Sequence, residues 1–545
     1  MESPLGWVDP GPVARGYGPG RPCALPDRTR APRFPGSMRA LFLLLPATLL
    51  FGSAPLGAQQ ASPYVPIDSW VMPYVEHLIR AGVIADPDPL TRPLKRAAIA
   101  EALAGADTAR VGAATRATIR QLVAELRSPE GVPLYRADMY IGASAGTQAR
   151  RDPLRPQGVS YGAYQAGIQL AGAVGPLALS SHVYTDRYLR LDPDYSGKKD
   201  LDPVGRFTDA YVSLQGKYGE VFLGALARNW GPTGLDGFVT SPYAYSYDHV
   251  MIRAGTPTVR AEVLATQLDD MRNLGDTLVH RYWSSTRFVV RPWRWLTASI
   301  DNATLWYGPN RAFELRYLNP MKLSFVTRPD DNLPDFQKSL VAGSARIALP
   351  RHVTLQGSLV VMGISSGFLS GGCCDRVPSR LGLMGAMDFP AGHGVAARAW
   401  GSVVSRWAYR APSGPENSVM LRGVGLGQNF ADYLEMGVSA SLVPRPMITV
   451  SPAVVFLKQG LGDMRLVNPP LPDYGATLFG AGDVIERTLR LGLTGRAQLL
   501  RRVDLDVDAG LHFIRNKDHA SGVSDTRFVG RVKGAFRFGG PVRLP

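Results

Sequence analysis

Val503–Phe513 reads VDLDVDAGLHF, and the alternation in this stretch decides the fold class. Its odd positions are apolar, whereas its even positions carry Asp, Gly or His. A period of two places successive side chains on opposite faces of a β-strand. Residues 488–499 alternate in the same way, with leucines on one face and Arg490 and Arg496 on the other. The two segments predict a β-hairpin with one apolar and one charged face.

Strand-length runs with the same period recur along the chain, at 163–173, 208–216, 219–227, 258–268, 286–299, 353–362, 394–405, 434–443, 447–457 and 528–538. About ten residues is the length with which a tilted strand crosses a bilayer. At roughly 23 residues per strand and connection, residues 132–545 would supply about 18 strands, the size class of the porins. We therefore expect an all-β transmembrane barrel of about 18 antiparallel strands.

The charged face of the hairpin indicates what such a barrel would enclose. It carries Arg490, Arg496, Asp504, Asp506 and Asp508. This face is too charged for the packed core of a small sandwich, and it suits a water-filled lumen. The alternative is a soluble β-protein whose charged faces are solvated.

Connection lengths predict the orientation and the register. Leu500–Arg502 is a short turn, whereas Arg515–Arg527 is a long polar loop. Outer-membrane barrels keep short turns on the periplasmic side and long loops outside. A three-residue turn places Arg496 opposite Asp506 and Gln498 opposite Asp504, while a five-residue turn would shift these partners. Either register gives an Arg–Asp pair inside the lumen.

The first 58 residues predict export. Met38–Arg39 is a short cationic start, Ala40–Phe51 is an apolar run too short to span a bilayer as a helix, and small residues lead to Ala58. Residues 38–58 therefore resemble a secretory signal peptide. Residues 1–37 are rich in Pro and Gly, and we interpret them as a mis-called translation start; a genuine N-terminal extension is the alternative. Export combined with a barrel implies the outer membrane.

Residues 59–131 predict a small α-helical bundle on the periplasmic side. Apolar residues from Trp70 to Ile79 are spaced by three and four, and Gly82 is a suitable helix end. Pro93 can begin a second helix, and residues 115–127 form a third amphipathic segment. The fold class expected is a barrel preceded by three short helices.

Composition limits the partners. The formal net charge of +15 favours anionic partners, and export makes nucleic acid the least suitable of them. Outer-membrane lipid, lipopolysaccharide and acidic polysaccharide remain. Cys373 and Cys374 are adjacent, so either a vicinal disulfide or two free thiols fits. No ligand spacing indicates a metal, and no cofactor motif is present.

Catalytic motifs are absent, whereas one segment has the residue types of a carbohydrate site. There is no GxSxG nucleophile elbow between a strand and a helix, no HExxH and no Walker-type loop, so we expect no enzyme. Arg228–Gly234 reads RNWGPTG, with Trp230, Gly231 and Pro232 at a bend. Tyr243, Tyr245 and Tyr247 alternate, which predicts three phenols on one face. Rings beside Arg and Asp are typical of sugar recognition. The alternative is an aromatic girdle at the membrane interface, which would also include Trp283, Trp293, Trp295 and Trp306.

These residues resemble the Wzi family of capsule assembly proteins, outer-membrane barrels that help attach group 1 capsular polysaccharide. The resemblance rests on RNWGP, on SPYAYSY at 241–247, on His280 at a strand start and on Leu318-Asn319-Pro320. The N-terminal stretch DSWVMPYVEHLIRAGVI is similar to the helical bundle of that family.

The resemblance implies a lectin-like, non-catalytic protein of the Gram-negative cell surface that holds capsular or extracellular polysaccharide. It marks Arg228, Trp230, Gly231, Pro232, Tyr243, Tyr245, His280 and Asn319 as binding or architectural residues. A porin-type diffusion channel for sugars or anions is the alternative function. Residues 64–104 also resemble a surface-layer-homology repeat, which leaves peptidoglycan as a partner of the bundle.

Overall fold

A computed structural model describes residues 61–109, 111–127, 133–322, 337–363, 379–392, 394–411, 414–468, 484–500 and 502–542. The proposed signal peptide, the segment before it, and Cys373 and Cys374 lie outside the described residues.

The chain closes into an antiparallel barrel of 18 strands. In chain order the strands are β1 Leu134–Gly146, β2 Tyr161–Val174, β3 Leu177–Asp186, β4 Val204–Gln215, β5 Gly219–Ala225, β6 Asp248–Gly255, β7 Val259–Gln267, β8 Leu278–Trp293, β9 Leu296–Gly308, β10 Gln337–Ala348, β11 Thr354–Gly363, β12 Arg380–Pro390, β13 Ala396–Val404, β14 Tyr433–Arg445, β15 Ile448–Gln459, β16 Glu486–Leu499, β17 Val503–Arg515 and β18 Ser524–Pro541. Each pairs with its sequence neighbours, and β18 closes the ring on β1. The expected fold class is confirmed.

The barrel has two different ends. At one end the strands are joined by short turns, as between Val174 and Leu177 or Trp293 and Leu296. At the other end they are joined by long loops, as between Ala225 and Asp248. Large apolar side chains on the outward face are exposed, among them Leu489, Leu491, Leu493, Leu511 and Phe513. Such an apolar outer surface is typical of a barrel that lies in lipid.

The register predicted for the β16–β17 hairpin is confirmed. Arg496 lies opposite Asp506 and Gln498 opposite Asp504. The Arg496 guanidinium is 2.7 Å from the Asp506 carboxylate, and Arg490 is 2.5 Å from Asp508. These pairs lie on the face opposite the exposed leucines, so they point into the barrel.

Three helices lie at the short-turn end: α1 Met72–Arg80, α2 Arg96–Ala104 and α3 Ala113–Leu126. The Tyr74 hydroxyl donates to the Met447 carbonyl, and the Met447 N–H donates to Thr118 Oγ1, both at 2.9 Å. Helix α2 begins at Arg96 rather than at the predicted Pro93, because the preceding residues form a strand (Leu94–Lys95) with Tyr64–Val65. In the described part of the chain, no helix is both long and apolar enough to cross a membrane.

Much of the lumen is packed, so the predicted water-filled interior is wrong for this part of the barrel. Buried side chains of the wall meet buried side chains of loops that fold inward from the long-loop end. The wall contributes Tyr211, Phe222, Trp283, Leu305 and Val360, and the loops contribute Trp230, Phe238, Val239 and Leu426. The predicted charged face lies on β16 and β17.

Candidate functional site

The RNWGP motif lies inside the barrel. The loop between β5 and β6 turns into the lumen, and Trp230 is only 2% exposed. Asn229–Trp230 pairs as a short strand with Thr91–Arg92, which enters from the short-turn end. The Gly231 N–H donates to the Leu90 carbonyl at 3.0 Å. The motif therefore joins the N-terminal segment to a loop from the opposite end.

Glycine is required where this loop reverses. Gly231 has φ +151°, in the region that favours glycine. A Cβ at Gly237 would overlap the Trp230 carbonyl oxygen. Asn229 closes the bend, because its side chain donates to the Leu235 carbonyl and accepts from the Gly237 N–H, both at 2.8 Å. The bend predicted at Gly231 and Pro232 is present, and its function is to shape the loop.

Arg228 is also buried. Its Nε donates to His249 Nε2 at 2.7 Å, and its guanidinium lies 4.5 Å from the centroid of the Phe222 ring. Arg287, fully buried, lies 5.3 Å from the centroid of the Trp230 ring. Both Arg228 and Trp230 are therefore held by contacts inside the barrel.

A second loop, between β13 and β14, packs against the first. The Tyr409 hydroxyl donates to the Phe238 carbonyl at 2.7 Å, and the Ser241 N–H donates to the Leu426 carbonyl at 2.8 Å. Lys338 Nζ donates to the carbonyls of Tyr409 and Arg410 at 3.0 and 2.9 Å. The two loops therefore hold each other inside the wall.

Tyr243 and Tyr245 lie in a group of residues from three loops and the start of β4 that we call the tyrosine–arginine cluster: Arg151, Asp192, Asp194, Arg206, Tyr243 and Tyr245. The Tyr243 hydroxyl donates to Asp194 at 2.8 Å, and the Tyr245 hydroxyl donates to Asp192 at 2.5 Å. Arg151 lies 5.0 Å from the Tyr243 ring centroid and 3.8 Å from that of Tyr245. Arg206 covers Tyr245 at 4.6 Å.

The prediction of three tyrosines on one strand face is wrong. Pro242–Ala244 forms a short 3₁₀ helix, and Tyr245 has φ +63°. This irregular backbone sends Tyr247 elsewhere, with its hydroxyl 3.2 Å from Thr240 Oγ1. Only Tyr243 and Tyr245 share the cluster.

Burial sets the electrostatics of the cluster. It raises the pKa of both phenols, so Tyr243 and Tyr245 remain protonated donors at neutral pH. Burial also raises the pKa of Asp192, and the Arg151 guanidinium opposes that shift. Buried carboxylates bonded to phenols and arginine hold the rings in fixed positions.

Further aromatic and cationic groups continue the cluster. The Phe430 ring meets Tyr243 edge to face at 5.8 Å, and Arg155 lies 4.3 Å from the Phe430 centroid. Arg150 is 3.0 Å from Asp194. Tyr243, Tyr245 and Phe430 all remain partly exposed. Four long loops thus contribute to one surface of rings and charges.

The remaining predicted residues lie apart. His280 pairs with Asp270 at 3.1 Å, and both side chains are about a third exposed. Asn319 is exposed, and its Oδ1 accepts from the Met321 N–H. Trp283 and Trp306 are fully buried, so the girdle alternative fails for them, as it does for Trp230. Trp293 and Trp295 are exposed and stacked at 5.2 Å beside a short turn, as girdle residues would be.

Sequence reasoning missed Arg151, Asp192, Asp194 and Arg206. They lie on loops and at a strand end, 37 or more residues before Tyr243 and Tyr245, and no periodicity of the sequence indicates their position. The segments RRDP and DPDY, rich in charge next to Pro and Tyr, were the only local signal. Within the described ranges, no three His, Cys, Asp or Glu side chains are arranged to hold a metal ion.

Comparison with known proteins identifies the fold of this chain. No protein-family model and no curated sequence matches the chain. Among solved structures, Wzi of Escherichia coli, described as an outer-membrane, carbohydrate-binding β-barrel involved in group 1 capsule assembly, matches with a TM-score of 0.58 and 13% identity. The match covers 89% of this chain and 100% of that one. The chain therefore has a Wzi-like fold, as the sequence resemblance predicted.

Two solved structures of Pseudomonas aeruginosa proteins are less similar. OccD3 (OpdP) matches with a TM-score of 0.42 and 12% identity, over 75% of this chain and 91% of that one. OprD matches with a TM-score of 0.40 and 10% identity, over 74% and 95%.

Proposed function

We propose that this chain is an outer-membrane protein that holds a surface polysaccharide at the long-loop end of its barrel, without catalysing a reaction. The observation that carries the proposal is the tyrosine–arginine cluster, in which three loops and the start of β4 present two rings and two guanidinium groups on one partly exposed surface, above the buried carboxylates of Asp192 and Asp194.

The chemistry of the cluster matches that of a sugar chain. Aromatic faces cover the apolar C–H faces of pyranoses, and charged side chains make strong hydrogen bonds to hydroxyls or acidic groups. Arg206 donates to Ser246 Oγ at 2.5 Å and lies over Tyr245, so its guanidinium is held beside a ring. Fixed donors lose little conformational entropy when they bind a ligand. The carbohydrate binding of the structural neighbour Wzi supports the same function.

The filled lumen makes the diffusion-channel alternative weaker. A channel for sugars or anions needs a continuous aqueous path, whereas two inward loops and the N-terminal segment here form an apolar core within the wall. The exposed apolar belt would face outer-membrane lipid and lipopolysaccharide. The helices α1 to α3 would then lie in the periplasm, where peptidoglycan is within reach.

Binding of purified protein to the polysaccharide of the host strain tests the proposal. We expect Tyr243→Ala and Arg206→Ala to weaken binding at least tenfold, because each removes a ring or a charge from the cluster. A deletion strain should shed its surface polysaccharide, and the wild-type gene should restore it.

Matched variants lie at the same end of the barrel. Phe313→Ala removes a half-exposed ring and Arg272→Ala removes an exposed guanidinium, both outside the cluster. These two proteins should bind as the wild type does. Equal losses in cluster and control variants would refute the proposed site.

A further inference from the structure

A pocket of about 270 Å³ lies at the short-turn end, opposite to the tyrosine–arginine cluster. One side is the N-terminal segment around Asp88 and Lys95. The other side is the barrel wall, at the turns β4–β5 and β6–β7. Its volume is near the lower limit of small-molecule sites, about 300 Å³. It would hold one sugar unit rather than a chain.

Positive charge dominates the pocket. Its lining includes five cations, Lys95, Lys217, Arg253, Arg260 and Arg291, and two acids, Asp88 and Glu220. Three of the cations are paired: Lys95 with Glu220 at 2.9 Å, Arg253 with Glu262 at 2.9 Å, and Arg260 with Asp88 at 2.5 Å. Burial lowers the pKa of Lys95, and Arg253 adds to this effect although Glu220 opposes it.

Lys217 and Arg291 are different. In the part of the chain that the structure describes, neither has a carboxylate within ion-pair distance. The Lys217 ammonium lies 5.1 Å from the centroid of the Tyr218 ring, and Tyr218 is 57% exposed. Lys217 and Arg291 therefore line the pocket without a neighbouring carboxylate, and their positive charge would attract an anion.

The uncharged lining fits the body of a sugar. Pro257 and the Tyr218 ring are exposed and Pro87 is partly exposed, whereas Pro89, Pro93 and the Tyr64 ring are buried behind them. Flat apolar faces next to cations suit a pyranose that carries an acidic group. An inorganic anion would make no contact with these apolar faces.

We propose that this pocket binds a single acidic sugar, a hexose with a carboxylate or a phosphate group, with Lys217 and Arg291 receiving the anion. This site goes beyond the proposed function, because it lies at the other end of the barrel and uses none of the cluster residues.

Calorimetric titration of the detergent-solubilised full chain with glucuronate tests the pocket, with glucose and inorganic phosphate as reference probes. We expect saturable binding of glucuronate, at least tenfold weaker binding of glucose and of phosphate, and a loss of affinity at higher salt. Lys217→Gln and Arg291→Gln should each weaken glucuronate binding about tenfold.

Two control variants show whether glucuronate binds in this pocket or elsewhere on the protein. Arg445→Gln changes an exposed arginine at the end of β14, beside another short turn, and should leave glucuronate affinity unchanged. Arg206→Ala should also leave it unchanged, although it weakens polysaccharide binding under the proposed function. The inference is overturned if glucuronate does not bind, if phosphate binds as tightly, if the two pocket variants bind normally, or if Arg206→Ala removes the binding.

Discussion

Trp230 shows how a residue can be conspicuous in a sequence for a structural reason. It stood out as part of a turn motif with carbohydrate-site composition, yet it is buried: its backbone pairs with Thr91 of the N-terminal segment, and its ring faces Arg287 of the wall. The sequence located the motif. It could not show these partners, because they are 139 and 57 residues away along the chain, and only the closed barrel brings them together.

Trp230→Ala should therefore act on stability. Removing a fully buried Trp side chain from a packed core costs about 3–5 kcal/mol. We expect a lower melting temperature by circular dichroism in detergent, and a smaller loss for Trp230→Phe, which fills part of the space. Trp293→Ala, at an exposed site, should melt close to the wild type. A Trp230→Ala protein of normal stability but reduced polysaccharide binding would instead make Trp230 a ligand contact.

Asp236 gives a pH dependence of stability. Burial raises its pKa from 3.8 to about 6; Arg151 and Arg155 oppose this effect, while Asp152 and Glu435 add to it. The carboxyl group of Asp236 therefore binds its proton more tightly in the folded protein than in the unfolded chain. Its contribution to stability is present at low pH and is lost as the pH rises through about 6.

Asp236→Asn should consequently raise the melting temperature at pH 7.5 and have little effect at pH 4. The exposed Asp276→Asn should change neither value. Thermal melts of the three proteins at both pH values check this. An equal stabilisation by Asp236→Asn at the two pH values would show that the raised pKa of Asp236 is not its cause.

At the scale of elements, the alternation of apolar and polar residues predicted the strands but not the conformation of the loops. The alternation of residues 488–513 predicted the faces, the turn and the partners of β16 and β17, because neighbouring strands are set by the sequence next to them. The start of α2 was misplaced, since Leu94–Lys95 pairs with Tyr64–Val65 and this contact overrides the preference of Pro93 for a first helical turn.

The Arg496–Asp506 pair permits a measurement on the hairpin. As a cross-strand ion pair with both side chains partly exposed, it should contribute about 0.2–1 kcal/mol. A double-mutant cycle with Arg496→Ala and Asp506→Ala, followed by urea unfolding in lipid vesicles, should give a coupling free energy in this range. The coupling should fall at high salt, and a coupling of zero at low salt would mean that the pair contributes nothing.

Gly237 controls the inward loop between β5 and β6. A Cβ at this position would overlap the Trp230 carbonyl oxygen, so Gly237→Ala should displace the loop from its position inside the barrel. We expect faster cleavage of the loop by added protease and weaker polysaccharide binding, because Tyr243 and Tyr245 lie on the same loop. Gly275→Ala, in an exposed loop, should show neither change. Normal protease resistance of Gly237→Ala would show that the loop accommodates the methyl group.

At the scale of the molecule, strand number and the two unlike ends followed from the sequence, whereas the contents of the lumen did not. The charged face at Arg490 and Asp508 predicted an aqueous interior; the charged pairs are present on β16 and β17, whereas apolar side chains fill another part of the lumen. Apolar loop residues such as Phe238 and Leu426 fill part of the lumen. They lie in segments without alternation, and the sequence pattern alone does not predict whether a loop folds into the barrel.

The filled lumen predicts little transport. Proteoliposomes containing the purified protein should swell slowly in isosmotic sugar, compared with the same vesicles carrying an open porin. Rapid swelling would restore the diffusion channel as the function.

The strand pairing of Thr91 with Trp230 has a consequence for biogenesis. The seat of an outer loop is built partly from residues near the start of the chain, which enter the barrel from the opposite end. A copy whose N-terminal segment failed to insert would lack the strand that pairs with Trp230, so the loop that carries Tyr243 would lose part of its support. Under the proposed orientation, assembly at the periplasmic end of the barrel would then be a precondition for the binding surface at the other end.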